Sequence, residues 1–178
     1  MEHQKAPVQQ PTPTGAAIRE WLEADHKRLE ELLHLATEGN GTIDRKRYDE
    51  FRTGLLRHIN IEEKILFPAA MKSNVLEQAA QLRLDHGALA ALLVLDPSHT
   101  VTHALRTVLA KHNNLEEGNE GVYEECITLI GDLAGSVFAN LEASPNIPLA
   151  IRAQGEKITD AAKRCLERAG YPGSLLGD

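Results

Sequence analysis

The chain has 178 residues, enough for one domain around one core. Its formal net charge of -7 gives no support to nucleic-acid binding. Aromatics are only 4% of residues while Leu, Ala and Glu are plentiful, which favours helices over strands.

Residues 1–14 contain three prolines and several glutamines and no apolar run, so they read as a disordered arm. They lack the charged-then-apolar pattern of a secretory signal. No stretch approaches the roughly 20 apolar residues needed to span a bilayer, so no membrane association and a cytoplasmic location are expected.

Helical patterns then follow in order. The first covers 15–37, with Ile18, Leu22, Leu29 and Leu33 at helical spacing, and stops at Gly39-Asn40-Gly41. The second begins after Thr42, a plausible N-cap, and runs to about 72 with Phe51, Leu55, Ile65 and Ala69; Pro68 should end or kink it. The third covers 75–95, with Leu82, Leu89 and Leu93 on one stripe. Asp96-Pro97-Ser98 forms a turn and a helix start, and the fourth covers 98–117 with Val101, Leu105 and Val108 inward. After Gly118 and Gly121 the pattern resumes over 122–142. A loop with Pro145 and Pro148 precedes a last helix over 149–169 and a frayed Gly- and Pro-rich end.

Short links between long amphipathic helices give antiparallel neighbours. The expected fold is therefore all-α, an antiparallel up-down-up-down four-helix bundle over 15–142. Residues 143–178 add a loop and helix that pack on the bundle or form an oligomer contact, in a monomer or homodimer. Cys126 and Cys165 both lie in apolar-periodic stretches and read as buried reduced thiols.

The chain also repeats itself. Asp25-His26 recurs as Asp85-His86, and His58-Ile59-Asn60-Ile61-Glu62-Glu63 as His112-Asn113-Asn114-Leu115-Glu116-Glu117. Each half thus reads Asp-His, then His-x-x-x-Glu-Glu, which predicts approximate two-fold symmetry.

At about 100° per residue, His26, His58, His86 and His112 fall on the apolar stripes of four helices, as do Glu62 and Glu116. Burying unpaired carboxylates costs at least a few kcal/mol each, and a cation compensates directly. Residues four apart on a helix have Cβ atoms about 5–6 Å apart, so each His-Glu pair can reach one centre. The spacing predicts two metals about 3.5–4 Å apart. His26 and His58 would hold one and His86 and His112 the other, with Glu62 and Glu116 bridging. Four protein donors per metal leave room for an oxo or hydroxo bridge and an outside ligand.

The other histidines are placed in solvent: His103 half a turn from His112, His34 off the first stripe, His3 in the arm and His99 at a helix start. Glu23 and Glu30 have spacings that reach toward His26 but point more readily to solvent. Glu63 and Glu117 lie about 100° from the bridging positions, fit for an outer contact or the surface. Tyr48 and Tyr123 could bind iron as phenolates, yet each lies about two turns or more from its nearest helix ligand. Asp25 and Asp85 either orient neighbours or are exposed. Donor chemistry alone leaves iron, manganese and zinc open. The ferritin-like di-iron pattern needs Glu-x-x-His on two helices, and only Glu23-Ala24-Asp25-His26 fits.

These motifs, together with Ile65-Leu66-Phe67-Pro68, resemble the haemerythrin-like, or HHE, domain family over 15–142. The resemblance implies a four-helix bundle holding two iron ions as a non-haem di-iron site, used in the cytosol of bacteria. It departs from oxygen carriers in two ways. The candidate positions for their fifth histidine are Leu82 and Ala90, which cannot ligate, and His112 and Glu116 are four apart rather than five. The pattern looks more like branches linked to hydrogen peroxide, nitric oxide or iron-centre repair, although repair proteins often carry a cysteine-bearing domain that this sequence lacks. The expected partners are small oxidants: hydrogen peroxide, dioxygen or nitric oxide. A catalase-like reaction leads, a gas-binding or sensing module follows, and a static zinc site is third. Leu29, Leu66, Leu89 and Leu93 would limit water entry and tune the site.

Overall fold

A computed structural model describes residues 14–39, 41–71 and 78–177. The predicted arm, except Thr14, and the first residues of the third predicted helix lie outside the described residues.

Helix α1 spans Gly15–Thr37. Helix α2 spans Arg45–Ile61 and is capped by Asp44, not Thr42. The Asp44 carboxylate accepts from the Lys46 and Arg47 backbone N–H groups at 3.0 and 3.1 Å, and it sets a negative charge at the positive helix end. A π-helical turn, Glu62–Leu66, follows directly and leads into α3, Phe67–Ala70. Pro68 therefore does not end the helix, which continues to Ala70. The turn widens so that the Phe67 N–H reaches the Glu62 carbonyl, and Pro68, which has no N–H, comes next.

Helix α4 spans Ala79–Val94 and α5 spans His99–Glu117. Ser98 caps α5, its hydroxyl accepting from the Val101 N–H at 3.1 Å. Helix α1 packs on α2 and α5, and α4 packs on α5 and α2, which closes an antiparallel four-helix ring.

The predicted 122–142 helix is broken. Helix α6 spans Val122–Ile130, a 3₁₀ turn covers Gly131–Leu133, and α7 spans Ala134–Ala143. Gly131 sits at φ +50°, a conformation that favours glycine. Contrary to expectation, Val122–Ala143 is long and apolar enough by composition to cross a membrane. In the fold, α6 instead packs on α1, α3 and α5.

The last helix, α8, spans Glu156–Arg168 rather than starting at 149. The Ala150 carbonyl, which a longer helix would need, is taken by α2, since Arg52 Nη2 donates to it at 3.1 Å; Arg57 Nε holds the preceding loop by donating to Ser144 O at 2.9 Å. Ala153 N–H donates to Val94 O at 2.9 Å, pinning the extended segment to the end of α4. Helix α8 packs on α4. The chain end is folded rather than frayed: Tyr171 is buried, and Gly173–Leu176 makes a 3₁₀ turn against α5 and α8.

The apolar core forms two clusters at opposite ends of the ring. One gathers Leu29, Leu33, Phe51, Leu55, Leu89 and Leu105 with Leu166 of α8. The other gathers Ile18, Leu22, Ile61, Phe67 and Leu82 with the inner face of α6 and α7. Buried between them are His26, His58, Glu62, His86, His112 and Glu116.

Candidate metal centre

Each of the four ring helices sends one histidine inward: His26 from α1, His58 from α2, His86 from α4 and His112 from α5. Glu62 follows α2 on the first position of the π turn, and Glu116 lies near the end of α5. The structure brings all six together in two overlapping quartets, His26-His58-Glu62-Glu116 and His86-His112-Glu62-Glu116. Within each quartet one donor atom per residue lies within 4.8 Å of the others. Each glutamate gives one oxygen to each side. Glu62 Oε1 is 3.3 Å from His58 Nε2 and its Oε2 is 3.2 Å from His86 Nε2. Glu116 Oε2 is 3.5 Å from His26 Nε2 and its Oε1 is 3.2 Å from His112 Nε2.

Every imidazole also has a carboxylate behind it. Asp25 accepts from His58 Nδ1 at 2.9 Å, Glu63 from His86 Nδ1 at 2.9 Å and Glu117 from His26 Nδ1 at 2.5 Å. Asp85 lies 3.5 Å from His112 Nδ1. A carboxylate on Nδ1 fixes the ring and leaves Nε2 as the inward donor, the usual support of a metal-binding histidine. Asp25 and Asp85 are thus buried partners, and Glu63 and Glu117 turn back to the rings rather than out to water. The repeat now has a physical reading. Each Asp supports the later histidine of its own half, while the glutamate after each bridging residue supports the first histidine of the other half.

Protons on the imidazoles offset part of the buried carboxylate charge. Burial opposes this protonation, but Glu62 and Asp25 hold His58 protonated up to about 10. Glu116 and Asp85 do the same for His112, also up to about 10. Burial works equally against the Glu62 charge, yet His58 and His86 keep this carboxylate well below its ordinary value.

Tyr123, the second residue of α6, reaches the same centre. Its Oη donates to Glu62 Oε1 at 2.6 Å and lies 3.2 Å from Glu116 Oε2. Oη is also 3.2 Å from His26 Nε2 and 3.3 Å from His58 Nε2. Counting helical turns along the sequence misplaced it. The Gly118–Gly121 reversal, not a continuous helix, carries Tyr123 back. A Cβ on Gly121 would lie 2.5 Å from Glu116 O, so only glycine fits that reversal.

The remaining candidates lie elsewhere. Tyr48 packs in the core beside Phe51 and under Arg152. Glu23 pairs with Arg19, and Glu30 is exposed. His34, His99 and His103 are exposed as expected, and His3 lies outside the described residues. Cys126 is buried, but Cys165 is only half-buried, beside Arg168.

The donor set fits a cation. Glu62 Oε2, Glu116 Oε1 and His86 Nε2 are buried and, despite their 3.2 Å imidazole–carboxylate contacts, make no well-aligned hydrogen bond; all three aim into the second quartet. Orphaned buried acceptors of this kind are costly unless positive charge joins them. Fold and centre together define a metal-binding helical bundle with a mixed imidazole and carboxylate donor set. A family model, the Hemerythrin HHE cation binding domain, matches residues 17–130, from α1 to the end of α6. The chain belongs to that family. No curated protein and no solved structure matches it.

Proposed function

We propose that this chain is a non-haem di-iron protein of the cytosol that reacts with small oxidants: hydrogen peroxide, dioxygen or nitric oxide. Two donor quartets that share two carboxylates, with one oxygen of each turned to each side, carry the reading, because that pattern suits two cations side by side. His26 and His58 would hold one iron, His86 and His112 the other, and Glu62 and Glu116 would bridge. The iron pair would supply electron transfer and open positions for a small ligand.

The chain's own residues do the rest. Asp25, Asp85, Glu63 and Glu117 hold the imidazoles in place. The two apolar clusters exclude bulk water above and below. A cavity of about 250 Å³ between α1 and α5 reaches His26 and is lined by Leu29, Leu33 and Leu109, with Arg106 and Glu30 beside it. Its volume is ample for a small oxidant.

Peroxide disproportionation is the leading activity. Protein expressed without added metal should bind two irons per chain and consume peroxide faster than free iron, and His86→Ala should lose both. Zinc in place of iron, or no peroxide loss above free iron, would reject it. Sensing is the second reading, favoured by one chain of contacts. Gln81 Nε2 donates to Asp85 Oδ1 at 2.9 Å and to Ala169 O at 3.0 Å, tying the support of His112 to the C-terminal segment. A reversible spectral change with nitric oxide and no turnover would favour it.

A further inference from the structure

Resting on the di-iron reading, we propose that Tyr123 is a fifth protein donor to the metal held by His26 and His58, so that the two metal positions are chemically unequal. One hydroxyl oxygen contacts a donor atom of all four residues in that quartet, at 2.6 to 3.3 Å. A buried tyrosine needs only one polar partner. An oxygen within reach of four converging donors stands where a cation shared by them must be contacted.

The second quartet has no counterpart among the described residues. The ring stacked on His86 is Phe67, with centroids 6.3 Å apart and planes 10° apart. The ring stacked on His26 is Tyr123, at 5.8 Å and 25°. One ring carries a hydroxyl and the other does not. Accordingly Glu62 Oε2, His86 Nε2 and Glu116 Oε1 make no well-aligned hydrogen bond on the Phe67 side, whereas Tyr123 engages the donors on its own side. One metal thus gains five protein donors and the other four.

The chemistry is the replacement of the phenol proton by the metal on the Tyr123 oxygen, with no electron transferred. As the metal–oxygen bond forms, the phenol O–H breaks and its proton leaves to solvent. An iron(III) phenolate absorbs visible light and enhances tyrosine ring vibrations in the Raman spectrum. The test uses the full chain loaded with iron and oxidised in air. Resonance Raman should show tyrosinate modes that shift in protein grown on ring-deuterated tyrosine. Tyr123→Phe should lose those modes and the visible band while keeping two irons and its helical circular dichroism. The chain has three tyrosines, so Tyr48→Phe and Tyr171→Phe should retain the modes. Should Tyr123→Phe fail to fold, the labelled wild type together with those two variants assigns the modes. Two bound irons without tyrosinate modes would overturn this inference alone. No bound iron would overturn it together with the di-iron reading.

Discussion

At the scale of single residues, the centre leans on carboxylates that stand behind the imidazoles. Asp25 is the clearest case, held between His58 Nδ1 at 2.9 Å and Arg28 Nε at 2.8 Å. Burial opposes its charge, but both partners pull it below its ordinary value. Asp25→Asn keeps the shape and removes the charge that fixes His58. Metal affinity should fall about 10- to 100-fold, read by chelator competition, with helicity unchanged. An unaltered affinity would show that His58 is positioned by packing alone. The paired protons make a second prediction. In metal-free protein, burial works against the charge of His58 and His112, but Glu62 and Asp25 on one side and Glu116 and Asp85 on the other raise both from 6.5 to about 10. A raised folded value contributes stability that is complete below the unfolded value and drains away as pH climbs through the folded one. Urea midpoints of chelator-treated protein should therefore fall from about pH 6.5 to about pH 10. A flat midpoint over that window would refute the pairing.

At the scale of elements, the ring helices and the inward histidines were legible because both follow one angular rule. His26 falls on the stripe of Leu22 and Leu29, and burial confirms that stripe. What tertiary contacts decide was not legible. Pro68 announced a disturbance in α2, but a kink and a widened turn look alike in sequence. The sequence places the start of α8 at 149, seven residues before Glu156, because it does not show that the Ala150 carbonyl is claimed by Arg52 on a distant helix. Distance along the sequence sets Tyr123 apart from Glu116, whereas the chain reverses between them. That reversal is testable. A methyl group at Gly121 would lie 2.5 Å from Glu116 O and 2.8 Å from Gly118 O, both backbone atoms that yield little. Gly121→Ala should cost about 1–3 kcal/mol in urea unfolding and displace the start of α6. Tyrosine fluorescence or Raman bands of Tyr123 should shift with it; wild-type stability and spectra would show that the reversal has slack.

For the whole molecule, the consequence is a core divided in two by a polar layer. One apolar cluster lies toward the α4–α5 connection and the other under α6 and α7, and the four inward histidines with Glu62, Glu116, Asp25 and Asp85 separate them. Hydrophobic burial stabilises each half, yet the layer between contributes little unless its charges are matched. Protons on the imidazoles match them in part; two cations would match them more fully and tie all four ring helices to common points. Glu63 and Glu117 strengthen that tie, since each reaches a histidine in the opposite half of the repeat. Folding and cation binding are therefore linked. A cation at about 1,000 times its dissociation constant adds about 4 kcal/mol to the folded state. For a chain of this size that raises the thermal midpoint by roughly 8–16 °C. Calorimetry on iron-loaded and chelator-treated protein should show the rise. Glu62→Gln combined with Glu116→Gln should abolish it, because neutral amides in the same space still hydrogen-bond but no longer bridge two cations. Equal midpoints for loaded and chelated wild type would mean that the layer holds its charges without metal.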